Sequence, residues 1–447
     1  MKPIYPSLTC YLPENFNVSL IPCYNKRWHE KYIYFVHTLL FRSLRGGESF
    51  NGYVNMNSVL IQHLLGSRYS KYILTQLING KIIEVNNSYS QGSFSKSYRI
   101  TEQFTNGIKI KTEVIKKQTY CRKIAWTREA ILQDLFKHNE LLRHEYSKLS
   151  DRRIKRDEAL YYINRTYEEA SPEWKSRAIA IHQFNNMSLG KKSLLDGKVS
   201  LESFPFSYNK GRVYSPCSNL PTDLEQFTYF VGYEEEKSIQ IDMPNSQLCF
   251  FNELVKRNCH NIGDEEREGG NFPHLVKNSV SSPIAPYVMT INKPWSEYIF
   301  KGKGYEVMMS LTCWRGKSEG HSPEERQSFK AEFFGQLFYN KYNDKFTPME
   351  QVFYWNFESE AKALRDLKRH LGNKLLAIQV QGLEGDFFHN TIVSYMRENR
   401  YFDIPFTIKH DSITLPESQA SYLIAELNNL VHEFFGRKDI NFKFAEL

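Results

Sequence analysis

Residues 322–340 read Ser-Pro-Glu-Glu-Arg-Gln-Ser-Phe-Lys-Ala-Glu-Phe-Phe-Gly-Gln-Leu-Phe-Tyr-Asn, and the interpretation of the whole chain turns on them. Ser322 as N-cap, Pro323 in the first turn and Glu325 three residues after the cap predict a helix opened by a capping box. Arg326 and Lys330 lie one turn apart, so both cations share a face and can grip one polyanion. Phe334 and Phe338 continue that face with aromatic surface. Cations followed by rings suit a nucleoside triphosphate: charge for the phosphates, a flat surface for sugar and base. Taken alone, the same pattern fits an amphipathic surface helix with incidental charges, so its meaning depends on what accompanies it.

The totals frame the search. A chain of 447 residues has room for two or three cored domains. A hydrophobic fraction of 41% and a charged fraction of 24% are those of a globular protein. No apolar run approaches the roughly 20 residues of a membrane span. The opening Met-Lys-Pro-Ile-Tyr-Pro lacks the apolar core of a signal peptide, so a cytoplasmic protein is expected, with no membrane partner. Seven scattered cysteines without a Cys-x-x-Cys pair predict reduced thiols and no zinc site. The net charge of +8 permits nucleic-acid binding without establishing it.

Along the chain, a helix around Lys31–Arg45 ends at Gly46-Gly47. Helices at Asn57–Leu65 and Ser70–Asn79, then strands at Lys81–Asn86 and Ser97–Thr101 with Gly92 between them, make a winged-helix-like pattern around 53–101 in an N-terminal module, 1–110. Residues 111–204 are helical and charged: Thr127–Lys148, Arg156–Glu169 and a helix begun by Ser171-Pro172. The basic runs Asp151–Arg156 and Gly190-Lys191-Lys192 make this either an arm whose tips hold duplex phosphates or a solvated linker. From 205 onward, Phe227–Gly232 and Ser238–Asp242 read as a hairpin delivering Asp242. A helix follows at Leu248–Lys256, and others at Ser359–Leu371 and from Gln381-Gly382 to Arg397. Phe402–Lys409 and Ser412–Leu415 form a second hairpin with Asp411 at its tip, and Glu417–Phe435 is the last helix. The class is α+β.

Asp242 and Asp411 each end a β run, with the basic helix between them in sequence. Either aspartate alone is an ordinary turn residue. Brought together, two such carboxylates can hold two Mg²⁺ ions, for which Mn²⁺ can substitute, activating a 3′-hydroxyl and stabilising a leaving pyrophosphate. Arg326 and Lys330 would neutralise the triphosphate opposite.

These residues resemble the family-A polymerases, of the bacterial DNA polymerase I type, and their phage-type single-subunit RNA polymerase relatives. The resemblance runs from Lys210 to Leu415 in the family's order. Gly211-Arg212-Val213 with Ser218-Asn219-Leu220 is similar to an element whose arginine contacts the primer terminus. Ile241-Asp242-Met243-Pro244-Asn245-Ser246-Gln247 resembles motif A, which implies Asp242 and the Met243 carbonyl as metal ligands. Arg326-x-x-x-Lys330-x-x-x-Phe334-Gly335 resembles motif B on the fingers helix, which adds Phe334 and Phe338 to the nucleotide site. Gln381-Gly382-x-x-x-Asp386 resembles an element whose glutamine touches the duplex minor groove, and His410-Asp411-Ser412 resembles motif C. Arg212, Asn219, Gln381 and His410 are thus implied to meet DNA.

The resemblance implies a right-hand polymerase: helical thumb at 111–204, then an antiparallel-sheet palm and helical fingers at 205–447, the fingers about 255–375. Gln247 stands where the DNA polymerases place a glutamate against the 2′-hydroxyl, and its bulk should still crowd a ribose. Phe338 stands where a tyrosine is usual, and Ser412 is the residue of the RNA-synthesising relatives. The long interval from Asp242 to Lys330 predicts extra fingers structure within 258–320, and no exonuclease block is recognised upstream. The expectation is a DNA-dependent DNA polymerase without proofreading, acting on primer–template and dNTPs. Its N-terminal module would recruit it to an origin or a replication partner. A primase-like or single-subunit RNA polymerase, and an initiator-type binding protein with an inactive polymerase-like body, are the alternatives.

Overall fold

The computed structural model describes residues 7–44, 49–50, 52–88, 95–187, 207–209, 212–262, 294–317, 319–399 and 401–445. The chain forms two compact units, one of Met1–Ser207 with Tyr214–Ser238, the other of Tyr208–Val213 with Ile239–Glu446. The architecture is α+β, helices with small antiparallel sheets. Among the described residues no helix is long and apolar enough to cross a membrane.

In the first unit, β1 (Leu8–Pro13) pairs antiparallel with Ile110–Ile115, and α1 (His29–Leu44) packs its Tyr32, Phe35, Val36 and Leu39 into the core. A small sheet contains β2 (Ser49–Phe50), β3 (Tyr53–Asn55), β4 (Ile83–Asn86) and β5 (Ser97–Ile100) in the order β2-β3-β5-β4. Between β3 and β4 stand α2 (Ser58–Leu65) and α3 (Ser70–Asn79). Asn57 starts α2 by accepting from the Leu60 N–H, and Gly66 stops it at φ 91°, a left-handed turn that glycine adopts freely. Ile73 and Leu77, four apart, bury one face of α3. The two helices and the strand ribbon expected here are therefore present. The turn at Gly92 lies outside the described residues, as do Gly211 and the basic run Gly190-Lys191-Lys192.

Continuing after β6 (Ile110–Ile115), the expected helix Thr127–Lys148 is two helices, α4 (Gln118–His138) and α5 (Glu140–Leu149). Asn139 breaks the run: its backbone is extended and its side chain caps the Leu142 N–H of the second helix. The basic run Asp151–Arg156 is not a helix tip. Arg152–Ile154 is strand β7, paired antiparallel with Thr228–Phe230, and Arg152 is fully buried in an ion pair with Glu225 and a 2.9 Å bond to Thr228 Oγ1. Helices α6 (Arg156–Thr166) and α7 (Pro172–Met187) follow, so the expected segments 1–110 and 111–204 share one unit.

Short strands β8 (Ser207–Asn209) and β9 (Arg212–Tyr214) form a ribbon, and β10 (Thr228–Phe230) is the partner of β7. The expected hairpin of Phe227–Gly232 with Ser238–Asp242 is therefore absent. Strand β11 (Ser238–Asp242) instead sits in a four-stranded sheet of the order β12-β13-β11-β14, with β12 (Thr407–Lys409), β13 (Ser412–Pro416) and β14 (Lys443–Phe444). The β12–β13 hairpin matches expectation.

Around this sheet stand α8 (Ser246–Ile262), α9 (Trp295–Phe300), α10 (Gly304–Leu311), α11 (Pro323–Phe333), α12 (Pro348–Asn356), α13 (Glu358–Gly385), α14 (Val393–Glu398) and α15 (Glu417–Phe435). Trp295, Phe329, Phe333 and Phe353 are fully buried among them. Helices α9 and α10 supply structure within the interval expected to hold extra fingers, while residues 263–293 of that interval lie outside the described residues. The expected helix end at Leu371 is a kink at Gly372 (φ 76°), beyond which α13 resumes and carries Gln381-Gly382.

Candidate active site

The second unit's sheet brings the two aspartates together. Asp242 is the last residue of β11, and Asp411 lies in the β12–β13 turn, with β13 beside β11. The Met243 N–H donates to the Asp411 carbonyl at 3.2 Å, tying the two loops. His410 turns the hairpin at φ 57°, and Ser412 Oγ donates to the Lys409 carbonyl at 2.9 Å to close it. Burial first, and then the neighbouring Asp411 charge, push the Asp242 carboxyl up to about 7, with Lys330 pulling the other way. Burial likewise raises Asp411, against the Lys330 ammonium, the Arg212 guanidinium and the Ser246 hydroxyl.

Opposite them lies α11, which opens with the expected capping box of Ser322 and Glu325. Arg326 and Lys330 are exposed on one face, above the Tyr305 ring at 5.6 and 5.5 Å from its centroid. Arg326 Nε is held 2.7 Å from Glu306. The cleft between the aspartates and these cations encloses about 550 Å³ and is lined also by Arg212, Met243, Gln247 and His410.

Phe334 and Phe338 do not line this cleft. Phe334 still follows Lys330 by one regular turn, its N–H bonded to the Lys330 carbonyl, but from there the helix widens into one π-helical turn, Phe334–Phe338, which takes Phe338 off that face. Both rings are buried, Phe334 stacked on Tyr339 at 5.6 Å and Phe338 edge-on to Phe251 at 4.9 Å. They border a second, smaller cavity with Gln381 and Gln247, and Gln247 faces both spaces. Asn219 belongs to the first unit, where its amide donates to the Ser215 carbonyl within a turn. Burial, then Arg212, Lys409 and His389, pushes the His410 imidazole down to about 4, so it is neutral at pH 7.

One buried side chain at the edge of the cleft escaped sequence reading. Glu384, fully buried, accepts from Arg212 Nε at 2.7 Å and from Ser246 Oγ at 2.6 Å. Burial raises its pKa against the Arg212 charge. Asp386, the acidic residue singled out in the same element, is exposed and accepts from Asn390 instead. A signal for Glu384 existed: it lies one turn after buried Val380, a carboxylate on an apolar helix face.

Among the described residues no group of three or more His, Cys, Asp or Glu is arranged to hold a metal. Asp242 and Asp411 nonetheless fit a divalent cation, because both carboxyls stay raised by burial despite Lys330, so added positive charge between them would be favourable. Mg²⁺ commonly takes only one or two protein carboxylates and completes its shell with water and substrate phosphates. The chain matches no protein-family model and no curated protein.

Proposed function

We propose that this cleft belongs to a template-directed nucleotidyltransferase, a DNA polymerase joining a dNTP to a primer 3′-hydroxyl. The observation that carries the reading is a buried carboxylate pair facing an exposed Arg-Lys face across one cleft. On this reading Asp242, Asp411 and the Met243 carbonyl would hold Mg²⁺, which when bound supplies an activated 3′-hydroxyl and charge stabilisation for the leaving pyrophosphate.

Lys330 and Arg326 bind the triphosphate and neutralise charge developing on it, without reorganising in the act. Arg326 must leave Glu306 to do so. Gln247 limits room beside the sugar, which favours deoxyribonucleotides. Ser412 does not argue for RNA synthesis, since its hydroxyl closes the β12–β13 turn. Arg212, anchored by Glu384, is the cation available to the primer terminus. The finer architecture follows: the β11–β14 sheet as palm, α9–α13 as fingers, α4–α7 as thumb, and α2, α3 with β4–β5 as a winged-helix-like module.

The test is extension of a labelled primer on a template with Mg²⁺ and separate dNTP or NTP pools, with Asp411→Ala alongside. Extension from dNTPs by the intact protein alone is the expected result. Dominant use of NTPs would reassign the cleft to a primase or RNA polymerase. No extension from either pool, with duplex still bound, would leave a binding protein.

A further inference from the structure

A second surface lies in the first unit, where the short helical turn Lys26–Trp28 meets the start of α3. The half-buried Trp28 indole meets the Tyr69 ring at 5.1 Å and the Tyr72 ring at 5.3 Å between centroids. Tyr69 is 43% exposed and Tyr72 51%, so two large rings are offered to solvent while Trp28 fixes them from one side. Burying such rings is the default for their type, and a pair held open and supported is a prepared contact surface.

The exposed charged side chains next to these rings in sequence are all cationic. Lys26, Arg27, Arg68 and Lys71 are exposed, and none has a carboxylate partner among the described residues. Lys31 lies over the Tyr69 ring, 4.8 Å from its centroid, and donates to the Leu65 carbonyl at 2.6 Å. Burial, followed by the Lys123 and Lys117 ammoniums, holds Lys31 below the ordinary lysine range. Neither 15–29 nor 49–83 contains an Asp or Glu.

We propose that this surface binds single-stranded nucleic acid, with unpaired bases stacked on Tyr69 and Tyr72 and phosphates held by Arg27, Arg68 and Lys71. Half-exposed rings beside exposed cations are what a strand with free base faces can use, and every base has such a face. A duplex hides its base faces in its own stack and would leave the tyrosines without a partner. An acidic peptide would satisfy the cations but not the rings. This surface is independent of the catalytic reading, since it shares no residue with the cleft.

The experiment measures anisotropy of a fluorescein-labelled oligothymidylate on the full-length chain without nucleotides, across a salt series. Tyr69→Ala with Tyr72→Ala should weaken binding at least about tenfold, and Tyr69→Phe with Tyr72→Phe should bind within about twofold of the intact chain. Arg68→Ala with Lys71→Ala should lower the slope of log affinity against log salt by about 1.4, whereas substitution of the exposed Lys237 by alanine should leave it unchanged. Photocrosslinking of an iodouracil-substituted strand to the intact protein should label the peptide carrying Tyr69 and Tyr72, whatever the fate of the alanine variants. Crosslinks confined to other peptides, or single-strand affinity unchanged by both the tyrosine and the cation substitutions, would each overturn the assignment.

Discussion

Arg212 donates through Nε to Glu384 at 2.7 Å, and the same carboxylate accepts from Ser246 Oγ at 2.6 Å. One buried acid thus couples the strand before the first aspartate to the helix after it, at the edge of the cleft. Burial of the acid makes the pair unforgiving. Glu384→Ala strands the guanidinium and should cost about 3 kcal/mol of stability, read by urea denaturation. Glu384→Gln keeps an acceptor and the side-chain volume, so it should fold. On the polymerase reading it should raise the KM for primer–template about tenfold and leave the KM for dNTP within about twofold. Equal effects on both constants would show that Glu384 does not act through Arg212.

The carboxylate pair makes the metal-free protein sensitive to pH. Asp242 rises from an ordinary 3.8 to about 7, through burial and then Asp411, with Lys330 opposing and Glu384 adding a smaller push. A carboxyl whose folded pKa is raised contributes stability that is complete below 3.8 and is lost as pH climbs through 7. Asp242→Asn removes that loss. At about pH 8 without metal the variant should be more stable than the intact protein by about 2 kcal/mol, and the difference should vanish at about pH 4. Added Mg²⁺ should raise the melting temperature of the intact protein and not of the variant. Calorimetry showing Asp242→Asn less stable at the higher pH would remove the repulsion argument.

Local signals were legible, and long-range ones were not. The capping box at Ser322–Glu325, the β12–β13 hairpin and the helix Glu417–Phe435 are set by residues adjacent in sequence, and the structure has all of them. Strand partners are chosen by packing at a distance: Thr228–Phe230 pairs with Arg152–Ile154, although Ser238–Asp242 is nearer in sequence. Asp242 and Asp411 were readable as a pair only because each ends a β run. Neither Phe334 nor Phe338 is the open surface their spacing suggests: Phe334 is covered by Tyr305 and Tyr339, and the π-helical turn that displaces Phe338 leaves no mark in composition.

Arg326 begins in the wrong embrace for its proposed work. Its 2.7 Å contact with Glu306 must break before it can meet a triphosphate, and both side chains are half exposed, so the contact is worth less than about 1 kcal/mol. Glu306→Gln should lower the KM for dNTP about twofold to fivefold with kcat unchanged. Among the described residues Lys330 has no such competitor, and it faces both aspartates. Lys330→Ala should reduce kcat about a hundredfold. Steady-state extension kinetics separate the two, and a Glu306→Gln variant with raised KM would refute the latch.

Arg152 decides between two meanings of the basic run at 151–156. As a phosphate-gripping tip it would lower duplex affinity when removed and leave stability alone. Its guanidinium is instead fully buried against Glu225 and Thr228, beneath the rings of Phe184 and Phe230 at 5.9 and 5.7 Å. Arg152→Ala leaves the Glu225 carboxylate buried without its cation, which should cost about 3–5 kcal/mol. Arg152→Met with Glu225→Leu fills the same space without charge and should recover most of that loss. Thermal denaturation of both, beside duplex binding at a temperature where both are folded, gives the answer. A stable Arg152→Ala protein with weakened duplex binding would return this residue to the nucleic-acid surface.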